Sequence, residues 1–298
     1  MGDEQLATIA SSEVFDVTSQ HTGDDYRIFV GLPASYGTDP NALFPGIFVL
    51  DGNSAFPVIT AIARQLQLAS VLPQFGPGIP PAVVIGIGYP LDGDIWDASR
   101  LETGQQRRTH DYCSFVDPVM RRAHSARGIE LQTGGSDVFL DVLVEELVPL
   151  VEDRFRLDPE DRTLRGGSLA GHFALYALFQ RPGVFHRIAA TSPAMRNLFE
   201  IEARYAESFD DLPARLFLGI GEEEQPSQLS DRDVIGEGVS VWEFYRFAAL
   251  LRDRNYPNLR IRTKVYEGRS HLDVGAPAAV DSLLWLFSDD DHSMSRHA

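Results

Sequence analysis

The sequence predicts an α/β fold in which a mostly parallel central sheet carries helices on both faces. Three observations lead there. Residues 46–50 (GIFVL), 82–88 (AVVIGIG) and 214–220 (ARLFLGI) are short, almost wholly apolar runs, the pattern of strands buried on both faces. Between such runs, apolar residues recur at helical spacing, as in Leu140, Leu143, Leu147 and Leu150. Strand-like and helix-like segments alternate along the chain, which favours parallel pairing through helical crossovers.

The elements follow in order. Ser12 to Thr18 and Asp25 to Pro33 read as strands, the second alternating through Tyr26, Ile28 and Val30. Residues 37–45 read as a loop, and the first apolar strand then ends in Asp51-Gly52-Asn53. A helix is expected from Ala55 to about Ala69, a Pro/Gly-rich loop over 73–81, then the second apolar strand. Residues 91–135 are the least regular stretch, polar and with several arginines, Trp96 and the pair Gly134-Gly135. So long an irregular segment is expected to serve function, here as much of a pocket wall. The leucine-marked helix over 140–150, a short strand at Arg162 to Leu164 and a helix from Phe173 to Phe179 come next. Strands at Arg187 to Thr191 and at 214–220 follow. A helix at Trp242 to Asp253, a strand at Leu259 to Tyr266 and an amphipathic helix through Val280, Leu283, Leu284 and Phe287 complete the list. The tail from Ser288 to Ala298 is expected to fray. Without a repeat or a linker, residues 1–298 are expected to form a single domain.

Composition excludes several roles. Apolar residues make up 44% of the 298, enough for a sizeable core, and no run approaches a membrane span. A formal charge of −17 argues against nucleic acid or an anionic membrane as partner. The start lacks the basic-then-apolar pattern of a signal peptide, and Cys113 is the only cysteine, an ordinary free thiol in this reading. A cytoplasmic protein is the expectation. No CxxC or HExxH spacing is present, so neither a metal nor another cofactor is expected. Nothing in the sequence fixes an oligomeric state.

The chemistry centres on Arg165-Gly166-Gly167-Ser168-Leu169-Ala170-Gly171-His172, set between a strand and a helix. A serine between small residues at such a corner has the form of a nucleophile elbow, with Ala170 in the last small position. The tight turn crowds the residues two before and two after the serine, and Gly166 and Ala170 relieve that crowding. The hydroxyl is then exposed at a helix N-terminus, where backbone N–H groups favour a developing oxyanion.

A serine hydroxyl needs a base, and the base needs an orienting acid. In elbow enzymes of this kind the chain order is serine, acid, histidine. His172 follows the serine by one helical turn and projects elsewhere. His271, in Glu267-Gly268-Arg269-Ser270-His271, sits between the last strand and the last helix and is the candidate base. The acid is expected where the 214–220 strand ends, with Glu224 preferred over Glu222, Glu223, Asp231 and Asp233. Oxyanion donors are expected at the Leu169 amide and in the Asp51-Gly52-Asn53 turn.

With these residues placed, the chain resembles the putative-esterase branch of the α/β-hydrolase superfamily. That branch takes in esterase-D-like enzymes, feruloyl esterases and, most closely, siderophore trilactone esterases. The resemblance runs from about Val14 to Phe287. It rests on LDGN at 50–53, VIGIGYP at 84–90, Arg108-Thr109-His110-Asp111-Tyr112, GGSLAG at 166–171, the Gly221-to-Glu224 turn and EGRSH at 267–271, in that order. It implies an α/β-hydrolase fold, Ser168 as nucleophile, His271 as base, and oxyanion donors at Leu169 and near Gly52 or Asn53. It also implies that Arg108 contacts an acidic or phenolic group of the substrate, the alternative for Arg108 being an ion pair with Asp111. Two departures stand out: Cys113-Ser114 occupies the place where such relatives continue Thr-Pro, and some relatives work with a Ser–His dyad. The expected function is a serine esterase acting on a small-molecule carboxylic ester through an acyl-enzyme. An acyltransferase on the same triad and a non-catalytic binding protein of the same fold are the alternatives.

Overall fold

The computed structural model describes residues 8–91, 93, 97–115, 125, 132–224 and 240–288. Eight strands form one sheet: β1 (Ser12–Thr18), β2 (Asp25–Gly31), β3 (Phe44–Val49), β4 (Val83–Gly88), β5 (Leu157–Gly167), β6 (Arg187–Thr191), β7 (Ala214–Gly221) and β8 (Leu259–Tyr266). Their spatial order is β1-β2-β4-β3-β5-β6-β7-β8. β1 and β2 pair antiparallel, as do β2 and β4, and every pairing from β4 through β3 to β8 is parallel.

The period-two alternation of each buried strand divides the core. Ile47, Val49 and Val84 face Phe56, Ile59 and Ala63 of α1 (Gly52–Gln67), together with Ala279 and Leu283 of α7 (Gly275–Leu286). Phe48, Leu50, Ile85, Ile87, Leu216 and Leu218 join the larger cluster on the opposite face. There they meet Phe139 and Leu143 of α3, Phe173 of α4 (Leu169–Gln180), Leu198 of α5 (Leu198–Ala206) and Phe244 and Phe247 of α6 (Val241–Arg254). Helix α3 is composite: Ser136–Asp141, a π-turn over Val142–Leu147 and Val148–Arg154. No helix among the described residues is long and apolar enough to cross a membrane.

Several boundaries differ from the sequence reading, for physical reasons. β5 starts at Leu157, well before Arg162, and its first half is not read from sequence because exposed Pro159 and Glu160 stand between half-buried Asp158 and Asp161, with no apolar pattern. β3 begins at Phe44, inside the expected loop. Within the irregular stretch 91–135, residues Ala98–Tyr112 form helix α2, started by the Asp97 carboxylate accepting from the Ser99 amide. That helix buries little beyond its last turn, so it lacks the apolar stripe by which a helix is read. Trp96 and residues 289–298 of the expected frayed tail lie outside the described residues.

Candidate active site

The parallel register brings three strand ends side by side. Val49 of β3 pairs with Arg165 of β5, and Leu50 N–H donates to Arg165 O at 3.0 Å, so the 51–53 turn lies beside the elbow. On the other side, Ser168 N–H donates to Thr191 O at 2.9 Å, and Ser192 N–H to Gly219 O at 2.7 Å. The elbow, the 192–197 loop and the β7 exit therefore share the carboxyl edge of the sheet, where catalytic groups of open α/β sheets collect.

Ser168 stands at φ 59° and ψ −125°, directly before α4. A non-glycine residue seldom holds such a backbone, and strain of this kind concentrates at functional positions. A Cβ on Gly166 would lie 2.1 Å from Ala170 O, so only glycine permits the turn. The Leu169 amide is in the first turn of α4, which has no intrahelical acceptor for it.

Glu224 is the acid that reaches His271. Its Oε2 lies 2.6 Å from His271 Nδ1, while its Oε1 accepts from Gly221 N–H at 2.9 Å and from the Ser192 hydroxyl at 2.6 Å. The carboxyl is buried, whereas the imidazole is 40% exposed. The neighbouring glutamates do other work: Glu222 accepts from Gly268 N–H at 3.0 Å, and Glu223 N–H donates to Arg269 O at 3.0 Å. Both contacts tie the β7 exit to the loop that carries His271. Asp273 closes the far side of that loop by accepting from Ser270 N–H at 2.6 Å. Asp231 and Asp233 lie outside the described residues.

The 51–53 turn is built as tightly. Asp51 adopts the left-handed region at φ 55° and precedes α1. A Cβ on Gly52 would lie 2.7 Å from Ile87 N, so glycine lets α1 start against β4. The Asn53 side chain spans to Tyr89, accepting from its N–H and donating to its O, both at 2.8 Å. The amides of Gly52 and Asn53 occupy the first turn of α1, as the Leu169 amide does in α4.

Arg108 does not pair with Asp111. Its Nε and one terminal nitrogen each donate to Asp51 at 2.9 Å, and the other donates to Gln105 at 3.2 Å. Asp111 instead accepts from the Tyr89 hydroxyl at 3.1 Å and contacts His110 Nδ1 at 2.8 Å. Asp51 is thus held twice by one face of α2, because its N–H also donates to the buried Tyr112 hydroxyl at 3.1 Å. The R-x-x-D-Y spacing carried the signal, but the acceptor lies 57 residues away and has no local trace.

The His172 ring is engaged by the 192–197 loop and by Ser114. Its Nδ1–H donates to Ala194 O at 2.7 Å, which leaves Nε2 to accept from the Ser114 hydroxyl at 2.7 Å. Burial pushes its pKa down to about 4, against the opposing effect of the Ala194 bond. Ser114 also meets the Asn197 side chain, at 3.1 Å from Nδ2. Sequence reasoning missed Ser192, Ser114 and Asn197. Ser192 (φ 46°) and Asn197 (φ 50°) both take left-handed backbone, which a Ser-Pro pair and an asparagine in a loop only hint at. Cys113 is buried and donates to Phe115 O at 3.2 Å.

A family model described as "Putative esterase" matches residues 89–265, more than half of the 298-residue chain. The chain belongs to this esterase family. It is an esterase with the α/β-hydrolase fold. The esterase is 27% identical over 282 residues to the ferri-bacillibactin esterase BesA of Bacillus subtilis, covering 92% of this chain and 88% of that one. It is 32% identical over 202 residues to the siderophore triacetylfusarinine C esterase of Aspergillus fumigatus, covering 65% and 60% respectively. In fold it is similar to the BES protein of Bacillus cereus, with a TM-score of 0.76 at 22% identity over 97% of this chain and 99% of the other. The siderophore hydrolase EstA of Aspergillus nidulans gives 0.74 at 21% identity over 96% and 98%.

Proposed function

We propose that this esterase hydrolyses the ester bonds of a siderophore or a similar polyester ligand, with Ser168, His271 and Glu224 as its triad. The observation that carries the triad is the contact of 2.6 Å between Glu224 and His271 at the sheet edge that also presents the strained Ser168. In this reading Glu224 fixes the ring with Nδ1 protonated, which leaves Nε2 free to act as base. Ser168 Oγ attacks the ester carbonyl while its proton passes to His271. The oxyanion is held by the Leu169 amide and an amide of the Gly52-Asn53 turn. Collapse of the intermediate breaks the C–O bond, and the leaving alkoxide takes the proton from His271. Water, deprotonated by the same imidazole, then attacks the acyl-enzyme and releases the acid, restoring Ser168.

The substrate class is supported by the relatives, one named a ferri-bacillibactin esterase and one a siderophore triacetylfusarinine C esterase, and by the length of the match to the Bacillus subtilis protein. Arg108 enters through Asp51: it braces the turn that supplies the second oxyanion donor. A cytoplasmic setting goes with this reading, supported by the lone buried Cys113, which fits a reducing compartment. The test is turnover of a panel of para-nitrophenyl, feruloyl and catecholate trilactone esters by wild type and Ser168→Ala. Serine-dependent cleavage that favours the trilactone is the expected result. Equal cleavage by both proteins would overturn the triad. Serine-dependent cleavage favouring the feruloyl ester would overturn the substrate class, and transfer to an added alcohol in preference to water would assign an acyltransferase.

A further inference from the structure

Arg165 is a buried arginine that takes no part in the triad. It lies on β5 three residues before Ser168 and is only 6% exposed. Beside it in the sheet stand Val49 on β3 and Ala189 on β6, both fully buried and apolar. One terminal nitrogen donates to Gly275 O at 3.2 Å, and Nε has no hydrogen-bond partner among the described residues. Burial pushes its pKa down to about 10, so the group is still a cation at neutral pH. No described carboxylate pairs with it. A desolvated cation without a counter-charge is costly, and an apolar side chain of similar size would sit there more favourably. Stability does not account for an arginine at this position.

Its acceptor has a particular place. Gly275 opens α7 and follows His271 by four residues. The loop that carries His271 is fastened at its start to the end of β7, where Gly268 N–H donates to Glu222 and Glu223 N–H donates to Arg269 O. Its middle is closed by Asp273 and by Val274 N–H, which donates to Ser270 O at 3.2 Å. Arg165 reaches its far end. Two further arginines hold the opposite end of α7 against β6 and β7. Arg187 Nε donates to Leu286 O at 2.8 Å, and Arg215 donates to Trp285 O at 2.7 Å and to Ser288 O at 2.8 Å. The helix is thus laid on the sheet by guanidinium bonds to its own carbonyls, and the one at its beginning comes from the strand of the nucleophile. The Arg165 backbone serves the third part of the site, since its O accepts from Leu50 N–H directly before the 51–53 turn.

We propose that Arg165 is a positioning residue for ester hydrolysis: by donating to Gly275 O it sets the start of α7, and with it His271, relative to Ser168 on its own strand. This role rests on the Ser168–His271 reading and adds a residue that acts through α7 and not on the ester. Proton transfer from the serine requires hydrogen-bond distance, so a shift of the base by about an ångström costs rate. The surfaces that bind substrate are unaltered, and the loss falls on kcat and not on KM.

The test compares wild type, Arg165→Met and Arg165→Lys on para-nitrophenyl butyrate. Rates are counted per Ser168 that a fluorophosphonate labels, so that misfolded molecules drop out. Arg165→Met removes the donor and the charge while filling much of the same space. Its kcat and its rate of fluorophosphonate labelling are both expected to fall about tenfold at nearly unchanged KM. Its melting temperature is expected to equal or exceed that of wild type, which a merely structural role would not produce. Arg165→Lys keeps a donor and is expected to recover part of both rates. A kcat in Arg165→Met within about twofold of wild type, with Ser168→Ala inactive, would overturn this role and leave the triad standing. So would a loss confined to KM, a melting temperature that falls along with the rates, or Arg165→Lys no faster than Arg165→Met. Full hydrolysis by Ser168→Ala would instead overturn the Ser168–His271 reading itself.

Discussion

Glu224 holds His271 with one oxygen and is itself held through the other: Oε2 meets Nδ1 at 2.6 Å, while Oε1 accepts from Gly221 N–H and the Ser192 hydroxyl. A carboxylate orients the ring more firmly than a neutral acceptor. Glu224→Gln is therefore expected to lower kcat by roughly a hundredfold or more with little change in KM, because the amide no longer secures the right tautomer. Ser192→Ala removes one of the two supports and should cost kcat about tenfold. Steady-state kinetics on a para-nitrophenyl ester measures both. Wild-type kcat in Glu224→Gln would mean that a Ser–His dyad suffices.

The Asp51–Arg108 pair, with Asp51 N–H on Tyr112, predicts coupling between two elements distant in sequence. Asp51→Asn and Arg108→Gln should each lower kcat more than they raise KM, since the pair braces an oxyanion donor. In a double-mutant cycle the second substitution should add little to the first, with an interaction term of about 1 kcal/mol or more. Additive losses, or an effect confined to KM of acidic substrates, would place Arg108 on the substrate.

His172 makes stability depend on pH in a defined direction. Its folded pKa, near 4, lies below the ordinary value of 6.5, so between those values the unfolded chain binds the extra proton. The stabilisation is fully present above 6.5 and is lost as pH falls towards 4. Against His172→Asn, the wild-type protein should lose on the order of 2 kcal/mol of relative stability between about pH 7 and pH 5. Chemical unfolding at the two values checks this, and parallel behaviour of the two proteins would contradict it.

Gly166 tests the elbow itself. An added Cβ would sit 2.1 Å from Ala170 O, in backbone that cannot yield cheaply. Gly166→Ala should lower stability by on the order of 2 kcal/mol or more and abolish turnover, because the turn must open to admit the methyl group. A melting temperature within a degree or two of wild type would show that the turn has slack.

What was legible in the sequence was what short-range pattern encodes. The almost wholly apolar runs at β3, β4 and β7 marked interior strands of the sheet, and the small residues around Ser168 marked the elbow. His271 and Glu224 followed from chain order and strand ends, and the structure joins them. Helix α2 was not legible, since its polar surface hides a docking made by Arg108, Asp111 and Tyr112 at its end. The partner of Arg108 was missed for the same reason: a neighbouring Asp111 offers the local choice, and only the fold brings Asp51 closer. Ser114 and Asn197 meet across 83 residues, and Ser114 also reaches His172 of the elbow helix, contacts that no spacing rule describes.

The most direct measurement is where a serine-directed fluorophosphonate attaches. Intact-mass analysis followed by peptide mapping should show one adduct, on Ser168, with hydrolysis lost in proportion to labelling and no adduct on Ser168→Ala. Label on another serine that tracks the loss of activity, or full hydrolysis by Ser168→Ala, would contradict Ser168 as the nucleophile.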